Sequence, residues 1–419
     1  MLKTDRSYLV VSIFITFPVL LYLLFNNFVI NLDSLGRMSG IAGLSALSIS
    51  VIISARLKIF DKIFHGLDKM YRLHHTIGCF TLLLILLHFN LVLIKYAQLS
   101  LQLSFDLLLN FHDLYYLTAK LGLLILISGI IFSLYIKVSY DWFVKLMRIM
   151  GIVIFLGGYH AILVPNSDIS KRPILFAYMI ALFSIAMFIY IYRSIFHKSF
   201  NKLYEYTIDD IKILGDVIEI YMRPNKQALK HYAGQFAFVT FNNRHITNEP
   251  HPFTISSGSD NTILRLSVKQ LGDFTKSLTK LEKGNQATLE GPYGQFSATK
   301  IGDNHQIWIA GGIGITPFLS MIQSVNKGIE VDLYYCFSNK SEAVYESELK
   351  KSTKNINIRL HLIDSSKTGY LKIDKIKDLS DNSTIMLCGP PQMMQDLTKQ
   401  IINFGINKRL IHYEEFSLK

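Results

Sequence analysis

Six long apolar runs in the first half of the chain limit its fold more than any other feature. They lie near residues 7–30, 35–55, 76–97, 115–136, 143–164 and 173–195. A helix rises about 1.5 Å per residue, so roughly 20 apolar residues span about 30 Å of hydrocarbon. The sequence therefore predicts six membrane-spanning helices, and an even number of spans returns the chain to its starting side.

Basic residues at the ends of these runs predict the orientation of the bundle. Three connections on one side carry most of them: Arg56, Lys58, Lys62, Lys69 and Arg72, then Lys137, Lys145 and Arg148, then Arg193, Lys198 and Lys202. The opposite loops carry mainly Arg37, Lys95, Lys171 and Arg172. Positive residues mark the cytoplasmic side, so we expect a multi-pass protein of the cell membrane with both termini in the cytoplasm. The first span could act as an uncleaved signal anchor.

Composition separates this half of the chain from the rest. Residues 1–200 contain 17 Lys and Arg, eight Asp and no Glu, within a 419-residue chain that is 50% hydrophobic and has a net charge of +12. These basic residues border apolar runs and do not form one stripe, which favours membrane topology over nucleic-acid binding. The three cysteines, Cys79, Cys336 and Cys388, form no Cys-x-x-Cys pair, so neither a disulfide framework nor a cysteine metal site is expected.

Three histidines inside or at the start of the apolar runs are candidate metal ligands, because an imidazole in hydrocarbon needs a partner, a cavity or a metal. The interval from His74 to His88 is close to four full helical turns, which places both on one helix face about 21 Å apart along the axis. His160 lies near the outer end of the fifth run, at a depth comparable to that of His88. Two ligand positions at this separation suit two stacked metalloporphyrins, one near each side of the membrane.

Other residues in these runs leave alternatives open. Met147 precedes His160 in the fifth run, towards its inner end. A thioether can be an axial haem ligand opposite a histidine, although a methionine in a helix more often serves packing. His75 and His112 are interpreted as interfacial side chains that extend towards water.

After residue 200 the pattern becomes that of a soluble protein. Short alternating runs such as 217–221 and 236–240 predict the strands of a small antiparallel barrel. Further on, the apolar runs 307–310, 331–336 and 384–387 predict buried strands of a parallel sheet. The predicted domains are therefore a membrane domain over 1–198, a barrel over 199–302 and a nucleotide-binding domain over 303–419.

A glycine-rich turn follows the strand at 307–310 and precedes a predicted amphipathic helix at 318–325. Its candidate nucleotide-binding residues are Gly311, Gly312, Ile313, Gly314 and Thr316. A strand, a glycine turn and a helix together present free backbone N–H groups to a pyrophosphate. This turn alone is a weak signal, but Cys388, Gly389 and Pro390 follow another buried strand and should lie at the same edge of the sheet. Lys340, just past 331–336, could meet a 2′-phosphate or only solvent.

The segment His251-Pro252-Phe253-Thr254 has a chemistry that suits a flavin. Pro252 forces the residue before it into an extended conformation. Phe253 offers a flat face beside a ring, and the Thr254 hydroxyl can hydrogen-bond the flavin N5. Without the other segments, the pattern would indicate only a strand with a proline.

The membrane half resembles the ferric reductase-like transmembrane domain of NADPH oxidases and ferric reductases. In that family the third and fifth spans each supply two histidines, and here His74, Gly78 and His88 follow the third-span pattern. The resemblance implies that His74 holds an inner haem and that His88 and His160 hold an outer haem. Met147 stands where the family usually has its fourth histidine, so the inner haem has His and Met ligands, or His74 has another partner, or the inner site is incomplete.

The soluble half resembles ferredoxin–NADP reductase-like modules. Five segments occur in the family order: 234–236, 251–254, 268–275, 291–294 and 388–391. The resemblance implies that the 251–254 segment lies along the flavin ring and pyrophosphate, and that Val268, Lys269, Gly272 and Thr275 belong to the stretch that caps the phosphates. It also implies that Cys388 lies near the nicotinamide, and that Phe416 stacks on the isoalloxazine until the nicotinamide displaces it.

Together these resemblances imply a bacterial NADPH oxidase-like enzyme that binds FAD, NADPH or NADH, and two haem b groups. Electrons would pass from cytoplasmic NAD(P)H through FAD and the haems to an acceptor on the far side, with dioxygen giving superoxide as the first choice. A ferric-chelate reductase, a histidine-lined proton channel or transporter with a nucleotide-binding domain, and a flavin reductase anchored by inert spans are the alternatives. Membrane lipid is the expected environment, no nucleic acid is expected, and no partner subunit is evident.

Overall fold

The computed structural model describes residues 3–64, 66–136, 140–165, 167–196, 200–301, 305–324, 329–354 and 356–414. The chain divides into two compact units. The first unit comprises Met1–Phe64 and Lys69–Phe200, and the second comprises His65–Asp68 and Asn201–Lys419.

The first unit is helical. Its helices are α1 (Lys3–Phe25), α2 (Leu32–Ile53), α3 (Lys58–Ile63), α4 (Leu67–Leu99), α5 (Leu101–Leu109), α6 (Leu114–Tyr135), α7 (Tyr140–Met150), α8 (Ile152–Leu163), α9 (Asp168–Lys171) and α10 (Pro173–Tyr190), which continues as a π-helical segment, Ile191–Ile195. Within the described residues, six helical stretches are long and apolar enough to cross a membrane. The predicted six-span architecture is confirmed.

Several predicted helix ends are wrong, for local reasons. Helix α1 stops at Phe25 because Asn27 and Phe28 adopt left-handed φ values of 52° and 56°. Helix α4 begins at Leu67, well before residue 76, because its first turns are polar yet compatible with a helix. An apolar run marks only the part of a helix that faces hydrocarbon. It gives no indication that the helix continues into a polar segment.

A single turn residue, Gly151, separates α7 from α8 in the fifth span. The ring of Tyr190 occupies the position that a Cβ at Gly151 would need, and the Tyr190 hydroxyl donates to the Arg148 carbonyl at 2.9 Å. Gly151 keeps right-handed helical angles of φ −65° and ψ −19°, and Lys145–Leu163 is one apolar helical stretch, so the predicted fifth span is confirmed.

Helix α2 is the central helix of the first unit. In its most apolar stretch 72% of the residues are buried, whereas the share in the other five spans is between 11% and 22%. It is also the least hydrophobic span, with a mean hydropathy of 1.5. Glycine and serine residues account for this, because small side chains let neighbouring helices approach closely.

The second unit begins with six strands: β1 (Leu203–Leu214), β2 (Val217–Pro224), β3 (Phe236–Asn242), β4 (His251–Thr254), β5 (Leu264–Lys269) and β6 (Gln286–Tyr293). They form an antiparallel sheet in the order β4-β3-β6-β1-β2-β5. A bridge between Ile255 and Leu266 joins its two edges, so the sheet closes as the predicted barrel. Its short helices are α11 (Asp273–Ser277) and α12 (Ala298–Ile301).

Five parallel strands follow: β7 (His305–Gly311), β8 (Glu330–Phe337), β9 (Ile358–Asp364), β10 (Thr384–Cys388) and β11 (Ile411–Glu414). Their order is β11-β10-β7-β8-β9, which confirms the predicted parallel sheet. The helices around it are α13 (Thr316–Ile322), α14 (Glu346–Ser352), α15 (Ser365–Thr368) and α16 (Pro391–Phe404). Every residue of α13 is buried, so the prediction of an amphipathic helix at 318–325 was wrong.

Candidate functional site

His88 of α4 and His160 of α8 face each other in the first unit. Their ring centroids are 6.3 Å apart and their planes are inclined at 63°. A metal ion bound at about 2 Å by Nε2 of both imidazoles would hold the ring centres roughly 6 Å apart. The separation of this pair therefore fits one metal ion between two axial imidazoles.

Backbone carbonyls fix the tautomer of both rings. Nδ1 of His88 donates to the Gly36 carbonyl at 2.7 Å, and Nδ1 of His160 donates to the Tyr115 carbonyl at 2.9 Å. Because a carbonyl can only accept, Nδ1 carries the hydrogen and Nε2 keeps its lone pair. Metal-binding histidines usually have this arrangement.

His74, near the other end of α4, has the same arrangement. Its Nδ1 lies 2.9 Å from the Ser50 carbonyl oxygen and 3.0 Å from the Ser50 hydroxyl oxygen. The neighbouring His75 is exposed. The tautomer therefore favours His74 over His75 as a ligand. Met147 is half-buried on α7, and its part as a second ligand stays a prediction.

Three basic side chains at the His88 end of the bundle have partners, but only two of them are paired with carboxylates. Arg37 binds Asp33 at 2.9 Å and also binds Asp168, and Lys95 binds Asp33 as well. Arg172 donates to the Phe25 carbonyl at 2.9 Å. Within the described residues, no group of three or more His, Cys, Asp or Glu side chains could hold a further metal ion.

The predicted flavin-binding segment is strand β4. It pairs with β3, so that Thr254 lies opposite Phe236 and Phe253 lies opposite Ala237. His251 is buried and stacks on Phe274 of α11, with ring centroids 3.4 Å apart. Burial lowers the pKa of His251 to about 4, so this imidazole is neutral at pH 7. The strand and the first turn of α11 are thus joined by a neutral aromatic stack.

The predicted phosphate-capping stretch contains its own hydrogen bonds. Thr275 Oγ1 accepts from the backbone N–H groups of Leu271 and Gly272 at 2.9 and 3.0 Å. Lys269 pairs with Asp216 at 3.2 Å and Glu342 at 3.6 Å, and Val268 is buried in the barrel core. The structure brings Gly272 and Thr275 together, while the Lys269 charge is already compensated by two carboxylates.

The glycine turn after β7 lies directly against the turn after β10. A Cβ added to Gly389 would lie 3.1 Å from the Gly311 Cα, and one added to Gly311 would lie 2.6 Å from Sδ of Met393. A Cβ on Gly314 would overlap the Cys388 carbonyl. Gly312 has a backbone φ of 52°, which residues with a side chain rarely adopt. Only glycine fits this junction, and the two turns lie together at the carboxyl edge as the sequence predicts.

Cys388 and Thr316, also predicted at this edge, are more deeply buried than a cleft requires, whereas Pro390 is exposed. Cys388 is 1% exposed, and burial together with Glu414 raises the pKa of its thiol well above the ordinary value. Thr316 is buried, and its hydroxyl donates to the Ile313 carbonyl at 3.0 Å. Pro390 precedes α16 directly. Phe416 lies outside the described residues, which end at Glu414 on this side.

Sequence reasoning missed a buried ion cluster between the barrel and the parallel-sheet domain. Arg265 of β5 binds Glu348 of α14 at 2.9 and 3.0 Å, and lies 3.3 Å from Glu219 of β2. Tyr345 donates to Glu219 at 3.1 Å. Burial works to lower the pKa of Arg265, but the hydrogen bonds and charges of the two glutamates outweigh it and raise that pKa. Arg265 and Glu219 lie on neighbouring strands but are distant in sequence, so the sequence carries no signal of this pairing.

Sequence reasoning also missed the carbonyl partners of the three histidines. A backbone acceptor has no residue signature, so Gly36, Ser50 and Tyr115 could not be chosen by type. The available signal is spacing, because the interval from Gly36 to Ser50 on α2 equals the interval from His74 to His88 on α4.

Three family models match successive parts of the chain. A ferric reductase like transmembrane component matches residues 39–158. An FAD-binding domain matches residues 201–297, and an oxidoreductase NAD-binding domain matches residues 308–399.

Curated relatives match part of the chain. Flavohemoprotein A of Dictyostelium discoideum is 24% identical over 237 residues, which is 51% of this chain and 60% of the relative. NADH-cytochrome b5 reductase 1 of Aspergillus oryzae is 29% identical over 177 residues, 37% of this chain and 61% of the relative. The chain spans less than two thirds of the length of these relatives.

A solved structure supports the fold alone. The flavohemoglobin of Malassezia yamatoensis with bound FAD and heme superposes with a TM-score of 0.52 at 19% identity. The match covers 82% of this chain and 98% of that chain.

Proposed function

The chain combines a ferric reductase-like transmembrane domain with FAD-binding and NAD-binding oxidoreductase domains, which is the arrangement of the NADPH oxidase-like superfamily, and we propose that it is a membrane oxidoreductase. The protein takes electrons from cytoplasmic NAD(P)H and passes them through FAD and two haem b groups to an acceptor on the far side. Dioxygen is the acceptor and superoxide the product.

The geometry of His88 and His160 carries this proposal. Their 6.3 Å ring separation fits axial ligation of one iron, and their Nδ1 hydrogen bonds leave both Nε2 lone pairs available. His74 has the same tautomer nearer the start of α4. A proton channel needs imidazoles that can exchange protons with water, whereas these rings are held by backbone carbonyls.

When bound, FAD accepts two electrons as hydride and releases them singly, and haem iron carries single electrons. The residues of this chain determine where these groups would bind. Gly311 and Gly389 let the turns after β7 and β10 pack against each other, and Gly312, which has open space beside it, would let the backbone approach a dinucleotide pyrophosphate closely. The neutral His251 and the stacked Phe274 shape the flavin side of the barrel. His74, His88 and His160 would hold iron through Nε2, with Met147 as the proposed fourth ligand.

The charges at this end of the bundle do not distinguish dioxygen from a ferric chelate. Arg37 and Lys95 are paired with carboxylates, whereas Arg172 donates to a neutral carbonyl, which leaves its positive charge uncompensated. Dioxygen needs no positive charge, and an anionic chelate would be attracted by this arginine. With the cytoplasm negative, outward electron movement is favoured by roughly 2.3 kcal/mol per 100 mV.

The deciding experiment uses the full-length protein loaded with haem and FAD in vesicles. His88→Ala should abolish reduction of a far-side acceptor and leave reduction of the flavin by NADPH intact. His74→Ala should also block far-side reduction, whereas His75→Ala, its exposed neighbour, should not. Unchanged far-side reduction in His88→Ala would contradict the role of His88, and flavin reduction without far-side reduction in the wild type would show that the helices only anchor a flavin reductase.

Far-side cytochrome c reduction identifies the acceptor. Superoxide dismutase should inhibit this reduction if dioxygen receives the electrons. Insensitivity to the dismutase, together with reduction of a ferric chelate, would replace dioxygen by the chelate as the acceptor. Wild-type protein that binds no haem when haem is supplied in excess would contradict the whole proposal.

A further inference from the structure

We infer that α2 is the positioning helix for both haem-binding imidazoles of α4, and that Gly40 and Ser50 are its positioning residues. This inference rests on the proposed function, because it concerns histidines assigned to haem. It goes beyond that function by giving a role to a helix that contributes no haem ligand of its own.

The register between the two helices is the first observation. Nδ1 of His88 donates to the Gly36 carbonyl, and Nδ1 of His74 donates to the Ser50 carbonyl. The interval between the two donors on α4 equals the interval between the two acceptors on α2, in the opposite chain direction. Antiparallel helices with equal spacing therefore fix both rings at once.

The central place of α2 is the second observation. It is the most buried of the six spans, with 72% of its apolar stretch inside the unit. A buried helix that packs on several neighbours moves less than a peripheral one, so its carbonyls are a rigid reference for ring orientation.

Gly40 gives the His88 ring access to its acceptor. A Cβ at Gly40 would lie 2.9 Å from Nδ1, 3.1 Å from Cε1 and 3.3 Å from Cγ of His88. The first distance is shorter than carbon and nitrogen atoms tolerate, so a side chain there would displace the imidazole and lengthen its 2.7 Å hydrogen bond to Gly36. Glycine at this position is a steric requirement of the ring.

Ser50 gives the His74 ring a second acceptor. Nδ1 of His74 lies 2.9 Å from the carbonyl oxygen and 3.0 Å from the hydroxyl oxygen of Ser50, so its N–H can donate to both, whereas His88 has only the carbonyl among the described contacts. Acceptors on Nδ1–H make an imidazole a more basic ligand, which favours ferric over ferrous iron. Ser50 should therefore lower the reduction potential of the inner haem relative to the same site with alanine, and so favour electron transfer outwards.

The outer site is tested with Gly40→Ala in the haem-loaded full chain. We expect loss of the low-spin electron paramagnetic resonance signal of the haem bound by His88 and His160. Gly43→Ala is the matched control, because a Cβ there would lie 2.9 Å from Cγ1 of Ile85 on the same helix pair without touching a histidine. A wild-type signal in Gly40→Ala, or equal loss in Gly43→Ala, would overturn the role of Gly40.

The inner site is tested by redox titration of the haem spectra. Ser50→Ala should raise the midpoint potential of the inner haem and leave that of the outer haem unchanged, and Ser50→Thr should restore it. Ser48→Ala is the control, because its hydroxyl donates to the Leu44 carbonyl of its own helix at 2.9 Å. An unchanged inner potential in Ser50→Ala, or the same shift in Ser48→Ala, overturns the role of Ser50.

These outcomes are distinct from failure of the proposed function. Wild-type protein without haem contradicts both proposals. Wild-type protein with two haems whose spectra and potentials are unaffected by either substitution contradicts only the role of α2.

Discussion

A buried imidazole makes the flavin side of the second unit sensitive to acid. The pKa of His251 is lowered to about 4 by burial, whereas an exposed histidine titrates at about 6.5. The unfolded chain therefore takes up the proton first as the pH falls. Stability should fall between about pH 6.5 and pH 4 and show no further loss from this residue below that range, with a total effect of at most about 3 kcal/mol.

His251→Phe should remove most of this acid sensitivity, because phenylalanine keeps the stack on Phe274 and does not titrate. The measurement is thermal release of flavin, followed by fluorescence between pH 7.5 and pH 4. The exposed His245 provides the control substitution, His245→Phe. An acid-side loss in His251→Phe equal to that of the wild type would mean that another group causes it.

At the scale of elements, an ion cluster holds three strands of the parallel sheet together. Asp332 of β8 is fully buried and accepts from His305 of β7 at 3.0 Å and from His361 of β9 at 2.9 Å. Arg359, also on β9, donates to it through Nε at 2.8 Å. Burial works to raise the pKa of Asp332, but these donors outweigh it and hold that pKa well below the ordinary value.

Asp332→Asn should therefore destabilise the sheet at pH 7, by more than about 1.5 kcal/mol, because charge-assisted hydrogen bonds are lost. A lowered carboxyl pKa stabilises the fold above about pH 3.9 and loses its effect as the pH falls further, so the difference from wild type should shrink in acid. Urea unfolding at pH 7 and below pH 4 measures this. Asp378→Asn is the control, since Asp378 is exposed and contacts Arg359 at 3.3 Å; a cost as large as that of Asp332→Asn would contradict the role of burial.

The elements themselves were largely predictable from the sequence, and their ends and contacts were not. Long apolar runs indicate spans and short ones indicate strands, because burial selects for them directly. The packing of Gly151 against the ring of Tyr190 could not be predicted, because Tyr190 is distant in sequence. The buried α13 was mistaken for amphipathic because its serine and threonine are satisfied by carbonyls, Ser257 and Ile313.

At the scale of the whole molecule, electron transfer requires that the flavin and nicotinamide sites of the second unit keep a fixed relation. The barrel and the parallel-sheet domain share the ion cluster of Arg265, Glu219 and Glu348, and a hydrogen bond of 2.6 Å from Ser320 to the Ser257 carbonyl. Side-chain exposure is 10% for Arg265 and 4% for Glu219, so solvent screens their interaction little. The cluster therefore acts as a rigid joint.

Arg265→Ala should loosen this joint, because it leaves the Glu219 carboxylate buried without its cation. Loss of one partner of a buried ion pair costs roughly 3 kcal/mol or more. Reduction of the flavin by NADPH, measured by stopped-flow bleaching, should slow at least tenfold, while haem reduction by dithionite should proceed as in the wild type. Lys350→Ala removes an exposed pair with Glu346 on the same domain and should change the rate little. If Arg265→Ala retained the wild-type rate of flavin reduction, other contacts such as the Ser320 hydrogen bond would be sufficient to hold the two sites, and the ion cluster would serve stability alone.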